Sequence, residues 1–355
     1  MEKLESVYSD LKIFCHPDKL KAILEEQRTA PLYVRIKPTN ICNQKCWYCV
    51  YADDTVIANR SVNRRESIPW AKLQEVISDL AVMGTKAITF SGGGEPLCYS
   101  HIHEAIELVK EKGIDFAMIT NGQALDERAC ETLREAKWLR ISMDSANADL
   151  YKKIRGVDTY KKVLENIGRF AKGKSKDCTL GVNCVVTEDN YKHIYELCGI
   201  LSDLGVENVK FSPLMVRGKM LEYHAKIMSE VESQIKRAVE DFQNENFTII
   251  DKYTDDASFN QRFRKCASCY IKEIFTVIGA DCKVYYCHQR AYTEQGMIGD
   301  ISNKSFMEMW FSDETTKKFR NMDPRQECNF RCAFEERNSM LDRLVNMDKR
   351  HVNFI

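Results

Sequence analysis

Residues 39–54, TNICNQKCWYCVYADD, set three cysteines at 42, 46 and 49 with no fourth nearby. A closed thiolate site takes four ligands, so three on one loop leave a coordination position for something else. Zinc completed by a distant histidine or cysteine is the plain alternative, because zinc favours a Cys-x-x-Cys pair. SGGGEP at 91–96 adds glycines, which let main chain approach a ligand closely, and a carboxylate, Glu95. Six more cysteines, at 266, 269, 282, 287, 328 and 332, crowd the last quarter of the chain.

Something must carry these groups to one place. YVRIK (33–37), AITF (87–90), FAMIT (116–120), LRISM (139–143), LGVNCVV (180–186) and NVKFSPLM (208–215) are short, apolar and rich in Val and Ile, as buried strands are. Helical segments separate them, several ending at a glycine. Strand, helix, strand predicts a parallel sheet with right-handed crossovers. Six units fall short of a closed eightfold barrel. The expected fold is therefore α/β, a partial (β/α)6 TIM-like barrel over residues 31–235, behind a helical segment at 1–30 whose Leu20, Ile23 and Leu24 share a face. A small cysteine-rich α+β domain follows at 236–355, its IFTVIGADCKVYYC reading as a hairpin that brings Cys269 and Cys287 together. The cysteines follow the first strand, SGGGEP the second, TNG (120–122) the third and MDS (143–145) the fourth, so these loops share the rim where such folds do chemistry.

Composition narrows the partners. Lys plus Arg equals Asp plus Glu at 52 each in 355 residues, so no global field attracts a nucleic acid. No signal pattern and no run of 18 apolar residues is present, which argues for a cytoplasmic chain without a membrane partner. Fifteen cysteines in such a chain are expected to stay reduced, for metal or chemistry.

Read as Cys-x-x-x-Cys-x-x-Cys after the first strand of a βα barrel, the opening stretch resembles the radical S-adenosylmethionine superfamily. The resemblance implies that Cys42, Cys46 and Cys49 hold a [4Fe-4S] cluster whose fourth iron binds S-adenosylmethionine, and that Tyr48 lies near the adenine. It places Gly93, Gly94 and Glu95 at the methionine amino group. Ser142 is expected at the ribose or carboxylate, with Asp144 in the same Ser-x-Asp element, and Arg155 at the carboxylate. Ser142 and Asp144 could instead simply cap the next helix. Cys184, in the fifth strand, is a candidate hydrogen donor or a buried structural thiol.

The tail resembles SPASM and twitch extensions, and GMIGDISNKSFMEMW matches their strand-and-helix element. That implies one auxiliary [4Fe-4S] cluster, rather than two, on Cys269, Cys287, Cys328 and Cys332, with Cys266 a rival ligand. Where the family carries glycine this chain has Cys282, a turn residue or an extra ligand. Four tail thiolates could also take zinc.

By resemblance, the chemistry is reductive cleavage of S-adenosylmethionine to a 5′-deoxyadenosyl radical that removes hydrogen from a substrate carbon. An auxiliary cluster suits a net oxidation of a small polar metabolite, a sugar or aminocyclitol, with flavodoxin or ferredoxin as electron donor. The alternative is a peptide-modifying enzyme forming thioether or carbon–carbon links or inverting a stereocentre. Only about 30 residues precede the first strand, too few for a leader-binding domain, which weighs against that alternative. A non-enzymatic iron–sulfur or zinc protein is the third reading. His101, His103 and Arg217 lie near the rim and are expected to serve packing or the surface.

Overall fold

A computed structural model describes residues 9–52, 60–216, 219–254, 266–328 and 332–353. In β1 (Tyr33–Ile36), Val34 and Ile36 are fully buried, while Tyr33 and Arg35 keep part of their surface. The same face turns inward to the helices in β2 (Ala87–Phe90), β3 (Asp115–Thr120), β4 (Trp138–Ser142), β5 (Thr179–Val186) and β6 (Asn208–Pro213), with β4 alternating strictly while β2 and β3 also bury Thr89 and Ala117 on the other face. Ile88, Phe90, Met118, Leu139, Ile141, Val182, Val209 and Phe211 thus join one core between sheet and helices. The helices answer with their own stripe: Trp70–Val82 buries Leu73, Val76, Ile77 and Leu80.

These six strands pair in parallel in chain order, forming the predicted partial barrel. Two additions extend it. β7 (Thr248–Asp251) continues the parallel sheet beside β6, although it lies beyond residue 235. Only Ile249 of its four residues is buried, too weak a pattern to read as a strand. On the other edge, β8 (Phe275–Ile278) pairs in parallel with β1 and turns into β9 (Lys283–Tyr285) and β10 (Met297–Asp300), which run antiparallel. The cysteine-rich tail therefore shares one ten-stranded sheet with the barrel, in the order β10-β9-β8-β1-β2-β3-β4-β5-β6-β7.

A second core, with Ile13, Ile23, Ile271, Phe275, Val277, Tyr285 and Leu341, packs the N-terminal segment and the helix Glu335–Val345 onto this hairpin. Leu24 does not join it. The helix Pro17–Leu24 stops there and Glu26 turns at φ 54°, leaving Leu24 43% exposed. Among the described residues, no helix is long and apolar enough to cross a membrane.

Candidate active site

The cysteine loop after β1 hangs on the end of the helix Ala148–Arg155. Lys45 N donates to Arg155 O at 3.0 Å and Trp47 N to Ile154 O at 3.3 Å, satisfying carbonyls that a helix terminus leaves open. Gly156 permits the approach: its φ is +69°, and a Cβ there would stand 2.8 Å from Lys45 O. Cys42, Cys46 and Cys49 are half-buried, and Cys49 N closes a turn on Cys46 O at 3.2 Å. Burial pushes the Cys42 thiol up to about 11 and raises Cys46 against the pull of Arg155.

The glycine loop lies against the base of this loop. Gly94 N donates to Thr39 O at 3.0 Å and Glu95 N to Ile41 O at 2.9 Å. A Cβ on Gly93 would stand 2.0 Å from Asn40 Oδ1, and one on Gly94 2.1 Å from Ile41 O, so Gly93 admits the Asn40 side chain and Gly94 the main chain of the first loop. Glu95 is buried, and burial raises its carboxyl. It accepts from Thr120 Oγ1 at 2.6 Å, Asn121 N at 2.7 Å and Leu97 N at 3.2 Å, tying the second rim loop to the TNG turn.

Asp144 gathers the fourth rim loop. Its carboxylate meets Arg155 Nη2 at 2.5 Å, accepts from the Tyr48 hydroxyl, and accepts from Val185 N at 2.8 Å. Arg155 Nη1 reaches Cys46 Sγ at 3.7 Å. Burial works against the charge on Arg155, but Asp144, then Tyr48 and Cys46, hold it well above the usual value. Tyr48, Asp144, Arg155 and Cys46 thus form one assembly around a buried ion pair, with Tyr48 and Cys46 half-buried, and Arg155 already has a carboxylate partner within the chain. Ser142, half-buried, stands in register with Asn183 of β5.

In the tail, the Cys287 thiol is raised to about 12 by burial and then by Cys332, Cys269 and Cys328, which places these four sulfurs in one neighbourhood. Buried Arg290 pairs with Glu327 at 2.8 Å, holding the Cys287 turn to the helix Pro324–Glu327 that leads into Cys328. Asn338 accepts from Tyr270 N at 2.6 Å and donates to Ser268 O at 2.9 Å, fixing the turn around Cys269.

Other candidates lie elsewhere. Cys184 is 1% exposed in the core beside Cys198, on the face of β5 that packs against helices, so strand alternation turns it from the barrel interior where a hydrogen donor would stand. Cys266 neighbours Asn338, Ser339 and Asp342. Cys282 sits in the main core at φ 56°, its N donating to Gly279 O at 3.1 Å. That is a glycine-type turn position away from the four tail sulfurs. Cys282→Gly is expected to leave iron content unchanged and shift stability by no more than about 1 kcal/mol, since relief of left-handed strain offsets the lost thiol packing; iron assay and thermal melting check this, and iron loss would make Cys282 a ligand. His101 stacks on Trp70 at 5.2 Å and His103 meets Thr132 Oγ1 at 2.8 Å, both on the helical layer. Arg217 lies outside the described residues.

Residues the motifs did not single out join the two halves. The Tyr292 hydroxyl donates to Asn40 Oδ1 at 2.6 Å, and Arg60 Nη2 donates to His288 O at 2.9 Å, each linking the first loop region to the tail. Lys37, 1% exposed, donates to the Tyr51 hydroxyl and to Gly92 O, each at 2.7 Å. The alternation in YVRIK, with charges at every second position of a buried strand, was the available signal.

Both sulfur sets suit iron–sulfur chemistry. Among the described residues no three His, Cys, Asp or Glu side chains close around a single ion. A cubane ties each thiolate to a different iron and so tolerates a wider spread than one zinc. The buried Ser91 hydroxyl at the glycine loop has no hydrogen-bond partner, nor has Arg155 Nε, leaving polar positions for a cofactor. The residues fit the group.

The family model for the radical SAM superfamily matches residues 36–201, and that for an iron–sulfur cluster-binding domain, SPASM, matches 266–333. A probable GTP 3′,8-cyclase of Methanocaldococcus jannaschii is 30% identical over 222 residues, covering 60% of this chain and 69% of its own. The PqqA peptide cyclase of Bradyrhizobium diazoefficiens is 25% identical over 327 residues, 87% of this chain and 83% of its own. Among solved structures, Streptococcus suis SuiB bound to precursor peptide SuiA superposes with TM-score 0.63 at 18% identity, over 86% of this chain and 70% of that one. Native anSMEcpe with bound AdoMet gives 0.60 at 21%, over 87% and 88%. At such identities these two show a shared fold. The chain belongs to the radical SAM superfamily: it is an enzyme of S-adenosylmethionine and a [4Fe-4S] cluster, with a C-terminal SPASM domain for an auxiliary cluster.

Proposed function

We propose that this enzyme modifies a peptide. The observation that carries the reading is the reach of the similarity: the match to the PqqA peptide cyclase covers 87% of the chain, barrel and cysteine-rich tail together, whereas matches to GTP cyclases cover 38% to 61%. The sequence alone favours a small polar metabolite; this reach reverses the order. A thioether or carbon–carbon link, or an epimerised residue, is the kind of product the reading implies.

When bound, S-adenosylmethionine and the first cluster supply a 5′-deoxyadenosyl radical. The chain's own residues bind and orient. Cys42, Cys46 and Cys49 would hold the first cluster, with Arg155 orienting Cys46 from its pair with Asp144. Gly93, Gly94 and Glu95 would line the methionine end, Tyr48 the adenine, and Ser142 the ribose or carboxylate. Cys269, Cys287, Cys328 and Cys332 would hold the auxiliary cluster beside the inner face of β1.

The test offers reconstituted enzyme, reductant and S-adenosylmethionine a panel of short peptides and one of sugars and aminocyclitols, with 5′-deoxyadenosine followed by mass spectrometry. Stimulation by peptides is expected. Stimulation confined to the sugar panel would sink the peptide reading and restore oxidation of a small polar metabolite.

A further inference from the structure

Tyr292 stands in a backbone conformation that bulky residues rarely adopt. Its φ is 63°, in the left-handed region, and the residue is only 2% exposed. Such strain persists where the surroundings impose it, and it gathers at working sites. Here two successive turns of the tail impose it: Arg290 N donates to Cys287 O at 3.2 Å, and Thr293 N to Arg290 O at 3.3 Å. The first turn starts at a cysteine of the auxiliary site, and Arg290 ties it through Glu327 to the helix before Cys328. From the barrel side, Ser61 N donates to Tyr292 O at 2.9 Å.

The side chain leaves the tail by two routes, and both end at the glycine loop. The hydroxyl accepts from Ala280 N at 3.1 Å and donates to Asn40 Oδ1 at 2.6 Å. Asn40 is 0% exposed and its Nδ2 donates to Asn63 O at 3.0 Å, so the amide cannot turn without giving up a buried bond. Gly93 rests on this pair: a Cβ there would stand 2.0 Å from Asn40 Oδ1 and 3.0 Å from the Tyr292 hydroxyl. The second route is the ring, which meets the Tyr51 ring nearly at right angles with centroids 6.0 Å apart. The Tyr51 hydroxyl accepts from Lys37 Nζ, which also donates to Gly92 O, each at 2.7 Å. One residue of the tail thus backs two consecutive residues of the loop.

We propose that Tyr292 is a positioning residue that couples the auxiliary site to the binding of S-adenosylmethionine. The inference rests on the reading that the glycine loop lines the methionine end, and it holds whichever substrate is modified. With Cys287 ligated, the two turns keep the phenol against Asn40 and Gly93, and the loop keeps its course. With the tail sulfurs unloaded, the Cys287 end of the turns is released, the strain at Tyr292 relaxes, and the loop loses its backing. Coupling of this kind is reciprocal, so S-adenosylmethionine in turn favours the loaded tail.

The experiment is equilibrium dialysis of S-adenosylmethionine against anaerobically reconstituted holoenzyme, with iron assayed on the same samples. Tyr292→Phe, which keeps the ring and loses the hydroxyl, is expected to bind about fivefold more weakly with iron per chain unchanged. Cys328→Ala, loaded at the first site alone, is expected to show a similar loss of about fivefold. The two together should again lose about fivefold rather than about twenty-fivefold, because each breaks the same connection. Wild-type affinity in Tyr292→Phe or in Cys328→Ala overturns the coupling, as do losses that multiply in the double variant. Iron lost from Tyr292→Phe overturns it too, since the hydroxyl would then hold a cysteine site together. Gly93→Ala separates the inference from the reading beneath it, because its Cβ would press on Asn40 and the hydroxyl together. Weakened binding there beside wild-type affinity in Tyr292→Phe leaves the glycine loop at the methionine end and removes only the role of Tyr292. Unchanged binding in Gly93→Ala removes both.

Discussion

Alanine at Cys42, Cys46 and Cys49 together is expected to remove about four of about eight irons per chain after anaerobic reconstitution, and to end 5′-deoxyadenosine formation. The loss should be local because the two sulfur sets hang on different anchors. The first loop is held by the end of the helix Ala148–Arg155 and by the glycine loop. The tail cysteines are held by the Arg290–Glu327 pair and by Asn338, none of which touches a mutated side chain. Backbone bonds carry the first loop, so its course should survive loss of the thiols. Iron and acid-labile sulfide assays decide the matter. About four irons falling to none would mean that the tail holds no cluster, and a fall from eight to none would mean that the two sites assemble only together through Tyr292 and Arg60.

How much of this was legible depended on local pattern. β1 to β6 announced themselves because each packs alternate residues against the helices, leaving at least two apolar positions in a short run. β7 did not, with one buried residue in four. The hairpin was legible from its turn, but its pairing with β1 was not, since nothing local in FTVI states which strand it will meet some 240 residues away. The cysteines were found by spacing. Their supports were not: Asn338, Arg290, Tyr292 and Asn40 are single polar residues whose partners are distant in sequence, and only folding brings them together. Arg155 was expected, by resemblance, at the carboxylate of S-adenosylmethionine, yet within the chain its carboxylate partner is Asp144, eleven residues earlier, because strand end and helix end meet there. For Cys184 the strand was legible and two roles stayed open; alternation along β5 puts the thiol in the helix-packed core, as the buried structural reading expects.

Asp144→Ala is the single substitution expected to cost the fold most, about 3–5 kcal/mol, because it strands a buried guanidinium. The carboxylate is 0% exposed and Arg155 6%, so water cannot take over the role. The same change leaves Val185 N and the Tyr48 hydroxyl without an acceptor, each a further loss. Anaerobic thermal melting should show a midpoint lower by roughly 5–10 °C. Asp144→Asn, which keeps the shape and one acceptor oxygen, should fall between. Removing both charges, with Arg155→Met added to Asp144→Leu, should recover the share of the loss owed to the stranded guanidinium, while Val185 N and the Tyr48 hydroxyl still lack an acceptor. Activity should then separate from folding. If Arg155 orients Cys46, the apolar pair raises the midpoint above that of Asp144→Ala but does not restore 5′-deoxyadenosine formation, because Nη1 no longer stands 3.7 Å from that sulfur. A double variant that melts normally and still cleaves S-adenosylmethionine would reduce the pair to scaffolding, and an Asp144→Ala midpoint unchanged within 1 °C would mean the guanidinium escapes to water.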